Sequence, residues 1–79
     1  MEYDTEKIDE MTLALMWLVM QKDKHGWRAW KGFDWETMNR LCEKGFISDP
    51  KSKAKSVAVF DEGVELAEQL FQKHFKKAS

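Results

Sequence analysis

The chain has little of what small proteins use to reinforce themselves. A single cysteine, Cys42, excludes an internal disulfide. Only His25 and His74 accompany it, far apart, so no structural zinc site has the ligand spacing it needs. There is no Gly-rich phosphate loop and no nucleophile–base pair, and the carboxylate pair Asp61-Glu62 reads as helix capping. These absences point away from an enzyme and call for no cofactor and no metal. The apolar run LALMWLVM (13–20) is far shorter than a bilayer span. It follows acids rather than a basic segment, and no small-residue cleavage site comes after it. The expectation is a cytoplasmic protein with no membrane contact.

What is present fits one domain. The chain has 79 residues, 43% hydrophobic and 34% charged, which is ordinary globular composition. A domain this short is marginally stable, so good packing or self-association has to make up for the missing cross-links. The net charge is only −1 but is unevenly placed. Residues 1–21 carry five acids against Lys7. Residues 22–55 carry nine Lys/Arg against five Asp/Glu, a local excess of +4.

Periodicity predicts a first helix over 5–22, capped by Asp4 or Thr5. Ile8, Met11, Ala14, Leu15, Leu18 and Val19 form one stripe on it, and Leu13, Met16, Trp17 and Met20 form a second. A helix apolar on both sides must be covered on both sides. The first stripe is assigned to the core. The second is assigned to a homodimer interface, with burial under residues 24–33 as the alternative. Trp27 and Trp30, three apart, predict a short helical turn over 27–31.

Asp34 is an N-cap with Phe33 and Met38 as a hydrophobic staple, and Gly45 stands at the left-handed stop. Together they predict a helix over 35–44 with Trp35, Met38, Leu41 and Cys42 inward. FIS (46–48) and KSVAVF (55–60) predict a two-stranded hairpin around the turn DPKSKA, with Pro50 setting a corner. A last helix, capped by Asp61, is predicted over 62–76.

Helix, short turn, helix, hairpin, helix is the order of a winged helix-turn-helix domain, an α+β and mostly helical fold. RLCEKGFISDP followed by KSVAVFDEGVELAEQLF resembles the MarR- and PadR-like regulators, where a recognition helix ends, a wing follows and a new helix begins. Arg40, Leu41, Glu43, Lys44, Gly45, Phe46 and Ile47 match the first part, and Glu62, Gly63 and Leu66 the second, over residues 35–71. The whole chain, especially RAWKGFDW and ISDPKSKAKSV, resembles a family of short bacterial proteins with no assigned function.

The resemblance implies double-stranded DNA as a partner. Thr37 and Asn39 would lie nearest base edges, and Arg28, Lys31, Arg40, Lys44, Lys51, Lys53 and Lys55 would hold phosphates. Set against this, Glu36 and Arg40 are spaced to neutralise each other on the surface of the helix. A lysine-bearing turn also keeps a hairpin soluble. Three tryptophans crowd HGWRAWKGFDW (25–35), where they read either as a packing plug or as a base-stacking surface. Two functions stay open: a nucleic-acid-binding module, or a non-enzymatic dimerisation and protein-interaction module of the same shape.

Overall fold

The computed structural model describes residues 1–78. Its elements run α1 (Thr5–Met16), a 3-10 turn (Trp17–Val19), β1 (Met20–Asp23), β2 (Gly26–Trp30), α2 (Trp35–Glu43), β3 (Ser56–Val59) and α3 (Asp61–Phe75). The strands form one antiparallel sheet in the order β1-β2-β3, so the architecture is α+β.

The first helix begins as its sequence dictates: the Asp4 carboxylate accepts the Lys7 N–H at 3.0 Å. It ends well short of residue 22, where periodicity would carry it. After the 3-10 turn the chain becomes extended at Met20 and pairs with β2, Met20 opposite Ala29 and Lys22 opposite Trp27. The hairpin closes at Lys24-His25, with Gly26 at φ +119° in a region that only glycine enters freely.

The helical turn expected over 27–31 is therefore a strand. A spacing of three puts two residues on one side of a helix but on opposite faces of a pleated strand. Trp27 and Ala29 point to the core face with Val57 and Val59. Arg28 and Trp30 point the other way, in rows with Ala58 and Ser56. The expected two-stranded hairpin is correspondingly a three-stranded sheet. Segment 46–48 contributes only the bridge Ile47–Val59, flanked by Ser48 N–H to the Ala58 carbonyl at 3.0 Å and Phe60 N–H to the Phe46 carbonyl at 2.9 Å.

Helix α2 carries a complete set of end signals. Asp34 accepts the Thr37 N–H at 3.1 Å. At the other end Gly45, at φ +81°, lets its own N–H reach the Cys42 carbonyl and the Phe46 N–H reach that of Leu41. Phe33 and Met38 both join the core, but Trp35, expected inward, is exposed at the first turn. In α3 the cap position falls to Phe60, without a side-chain bond, and Asp61 is the first helical residue. Gly63 is needed for contact: a Cβ there would lie 2.5 Å from the Phe46 carbonyl oxygen, so α3 starts against backbone.

The core comprises Leu13, Ala14, Met16, Ala29, Met38, Leu41, Ile47, Val57, Val59, Val64, Ala67 and Leu70. Leu13 and Met16, assigned from sequence to a homodimer interface, are thus buried within one chain. Trp17 and Met20 pack against the same core, and Trp17 lies 5.9 Å from the Trp27 ring. The interface assignment fails because α1 has two walls to cover it instead of one. It packs chiefly on α3 and also meets α2, while Met20 leads into the sheet. The apolar residues left outside are Ile8, Leu15, Leu18 and Val19, from the stripe assigned to the core. The molecule measures 38 × 36 × 18 Å, thick enough for only two layers. Among the described residues, nothing covers the sheet face opposite the helices.

Candidate nucleic-acid interface

Two groups of the predicted cationic residues lie in different electrostatic settings. The first belongs to α2, whose polar side faces α1. Asp9 comes from the same stripe as Leu13 and Met16, four and seven residues on, and is only 2% exposed. Its two oxygens are both occupied: Oδ1 accepts Arg40 Nε at 2.8 Å and Oδ2 accepts Lys44 Nζ at 2.8 Å. Lys44 also reaches Glu6 at 3.0 Å. Arg40 Nη2 donates to the Thr37 hydroxyl, which itself donates to Asp34 Oδ2 at 2.8 Å.

A continuous chain of polar contacts, Asp34–Thr37–Arg40–Asp9–Lys44–Glu6, therefore fastens α2 to α1. The Asp9 carboxylate, aided by Glu6, holds the Lys44 ammonium above the ordinary lysine range despite partial desolvation. The Thr37 hydroxyl and N–H hold the Asp34 carboxyl below its usual range.

This arrangement removes most of the expected recognition surface. Thr37, proposed to lie near base edges, is fully buried, and Asn39 is half-buried. Arg40 and Lys44, proposed as phosphate holders, are neutralised by carboxylates of α1. The expected Glu36–Arg40 surface pair is replaced by Arg40–Asp9. Helices α1 and α2 are also separated by the β1–β2 hairpin instead of following one another through a turn.

The second group lies on the uncovered sheet face and the loop beside it. Arg28 projects from β2, and its guanidinium donates to Ser56 Oγ at 2.8 Å and to the Ser56 carbonyl at 2.9 Å. Lys31 continues the β2–β3 ladder by one step, through its N–H to the Lys55 carbonyl, and its ammonium donates to the carbonyls of Pro50 and Ser52. That clamp and an Asx turn, Asp49 Oδ1 accepting Lys51 N–H at 2.8 Å, shape the loop on which Lys51, Lys53 and Lys55 stand exposed. Arg28 and Lys31 are positioned by neutral oxygens instead of carboxylates.

Trp30, on the same face as Arg28, is 57% exposed. Its indole lies over Gly32, where a Cβ would overlap ring atoms Cζ2 and Cη2, and its centroid is 6.1 Å from that of Phe33. Leu18, Lys22, Asp23, Arg28, Trp30 and Lys55 are among the residues that line an open groove of about 510 Å³, three cations to one carboxylate. Trp27, by contrast, belongs to the packing against the core. The tryptophan-rich stretch is thus divided by the pleat, with Trp27 inside and Trp30 outside.

Sequence reasoning missed Asp9 as the partner of α2, although an acid in register with Leu13 and Met16 was a signal. It also missed the pairing of Trp30 with Gly32, which needs the strand assignment first. Cys42 packs at the edge of the core and His25 is in the exposed hairpin turn. Among the described residues, no three His, Cys, Asp or Glu side chains converge as a metal site, and no helix is long and apolar enough to cross a membrane.

Comparison with known proteins adds a family. No solved structure matches the chain. The uncharacterized protein y4hR of Sinorhizobium fredii (strain NBRC 101917 / NGR234) is 47% identical over 77 residues, covering 98% of this chain and 100% of that one. Residues 4–77 match the model of the family described as domain of unknown function DUF6429, and the chain belongs to that family.

Proposed function

We propose that the protein is a non-enzymatic nucleic-acid-binding module that uses its uncovered sheet face and the 49–55 loop, and not α2. The observation that carries this reading is the placement of Arg28 and Trp30 on one open face beside Lys51, Lys53 and Lys55. The positive charge of this region is anchored on neutral groups, while that of α2 is cancelled. Backbone phosphates are held by such fixed cations, and affinity then falls steeply with salt. The order α2, Ile47 bridge, loop, β3 and α3 is the order expected of a wing and supports this reading. Double-stranded DNA is one target of such a surface.

The test is titration of labelled single-stranded and duplex oligonucleotides at low and moderate salt. Salt-sensitive binding that is lost on charge reversal of Lys51, Lys53 and Lys55 supports the reading. Unchanged affinity after reversal would remove the loop from it.

A second reading has its own observation. Ile8, Leu15, Leu18 and Val19 leave an apolar stripe on the outer side of α1 and the 3-10 turn, with Leu18 65% exposed. Such a stripe suits a partner chain, and homodimerisation through it keeps the role expected of the first helix with the opposite stripe. If the wild type is a dimer by light scattering and Leu18→Glu is a monomer, this interface is established. A wild type that stays monomeric at high concentration removes it.

A further inference from the structure

We infer that the ligand of the open sheet face is single-stranded nucleic acid, with one base stacked on the Trp30 indole and an adjoining phosphate on the Arg28 guanidinium. The inference rests on the nucleic-acid reading above and narrows it. It starts from the setting of Trp30. The ring is backed by the Gly32 backbone and flanked by Phe33, and more than half of the residue meets water. A tryptophan held on one side and open on the other is a stacking platform whose orientation is already set before a ligand arrives.

Arg28 lies two residues earlier on the same strand, which places it on the same face about 7 Å away along the strand. Its Nε and Nη2 each bind Ser56, which fixes the plane of the guanidinium and leaves Nη1 without a partner among the described residues. A phosphate suits those remaining donors better than an uncharged acceptor does. Lys55, across the groove, adds a second point charge.

A duplex cannot use this geometry fully. Its bases are stacked on one another, so it would offer the face only phosphates and leave Trp30 without a role. The element that could enter a major groove, α2, has its Arg and Lys paired with Asp9 and its Thr37 buried. A single strand can splay a base onto the ring while its backbone follows Arg28, Lys55 and the loop lysines. An acidic peptide would match the charges but not the flat ring.

The experiment compares four probes of about ten units by anisotropy at low salt: an oligothymidylate, the same strand without bases, a duplex and polyglutamate. The proteins are the wild type, Trp30→Ala, Trp30→Phe and Gly32→Ala, each checked for its fold by circular dichroism. Trp30 is exposed, and Trp30→Phe keeps a ring, so loss of fold does not confuse the result.

The wild type should bind the oligothymidylate about ten-fold or more tighter than the abasic strand, as expected for one stacked base. Trp30→Ala should fall to the abasic level, Trp30→Phe should retain most of the difference, and Gly32→Ala, which displaces the ring, should lie between. Equal binding of the abasic strand, or an unchanged Trp30→Ala, overturns the stacking inference while leaving phosphate binding intact. Tighter binding of the duplex or of polyglutamate overturns the ligand class. No binding to any strand or duplex removes the proposed function itself.

Discussion

The side of α2 that faces α1, and the sheet with the loop beside it, carry similar cations and put them to different use. On α2, Arg40 and Lys44 meet the carboxylates of Asp9 and Glu6, and the charge is cancelled inside the molecule. On the sheet, Arg28 and Lys31 meet a hydroxyl and backbone carbonyls of Ser56, Pro50 and Ser52. Neutral oxygens orient a cation without neutralising it. The first region therefore joins two helices, and the second remains able to attract an anion. The identity of the partner, rather than the count of Lys and Arg, separates structural from functional positive charge.

Unfastening α2 should have the largest effect. Arg40→Ala leaves the buried Asp9 with one cationic partner. Removing one member of a fully buried pair costs ~3–5 kcal/mol. Arg40 and Lys44 are partly exposed, so the expected loss is smaller, about 2–3 kcal/mol, a fall in melting temperature of roughly 10–20 °C for a chain of this length. Nucleic-acid affinity measured below the transition should be unchanged. Thermal denaturation followed by circular dichroism, with affinity measured on the same samples, checks both parts.

The converse change acts on the sheet side. Replacing Lys51, Lys53 and Lys55 by Gln should leave the melting temperature nearly unchanged, because all three are exposed in a loop held by Lys31. The salt slope for single strands should flatten by about 0.7 for each phosphate that is no longer neutralised. A variant that lost both stability and binding would show that the loop is part of the packed structure, and the contrast would fail.

A pH series sharpens the α2 side. Lys44 has its affinity for a proton raised by Asp9 in the folded state. Its contribution is complete below the ordinary lysine value of 10.5 and is lost as pH rises through the higher folded value. The difference in urea midpoint between wild type and Lys44→Met should therefore be constant near neutrality and shrink at strongly alkaline pH. The smallest effect belongs to Asp34, whose folded value is lowered by Thr37. Its stabilisation is present above 3.8 and disappears as pH falls through the lower folded value, so Asp34→Asn should differ less from wild type in acid than at neutrality.

How much of this was legible in the sequence depended on how local each signal was. The ends of α2 were legible because Asp34 and Gly45 act within a few residues of themselves. The boundaries of α3 shift by only one residue, although the cap expected of Asp61 is not made and Phe60 takes that position without a side-chain bond. The β1–β2 hairpin was not legible, because LALMWLVMQK continues a helical pattern and only pairing with β3 makes Trp27 and Ala29 a buried strand face. Once that hairpin is missed, the Trp27 ring that meets Trp17 and the strand that takes up Met20 are missed too, and the second stripe is assigned to a partner chain. The charge surplus of residues 22–55 was legible, but its division was not: Asp9 lies 31 and 35 residues from the cations it neutralises. Gly63 was legible as part of a motif, and the structure supplies the reason in the Phe46 carbonyl against which α3 starts.

The most direct test places Arg28→Gln and Arg40→Gln side by side, measuring affinity for a short oligothymidylate across a salt series at a temperature where both variants are folded. Arg28→Gln should bind more weakly with a flatter salt slope, and Arg40→Gln should bind like the wild type. Weaker binding by Arg40→Gln with Arg28→Gln unaffected would contradict the account and return the interface to α2.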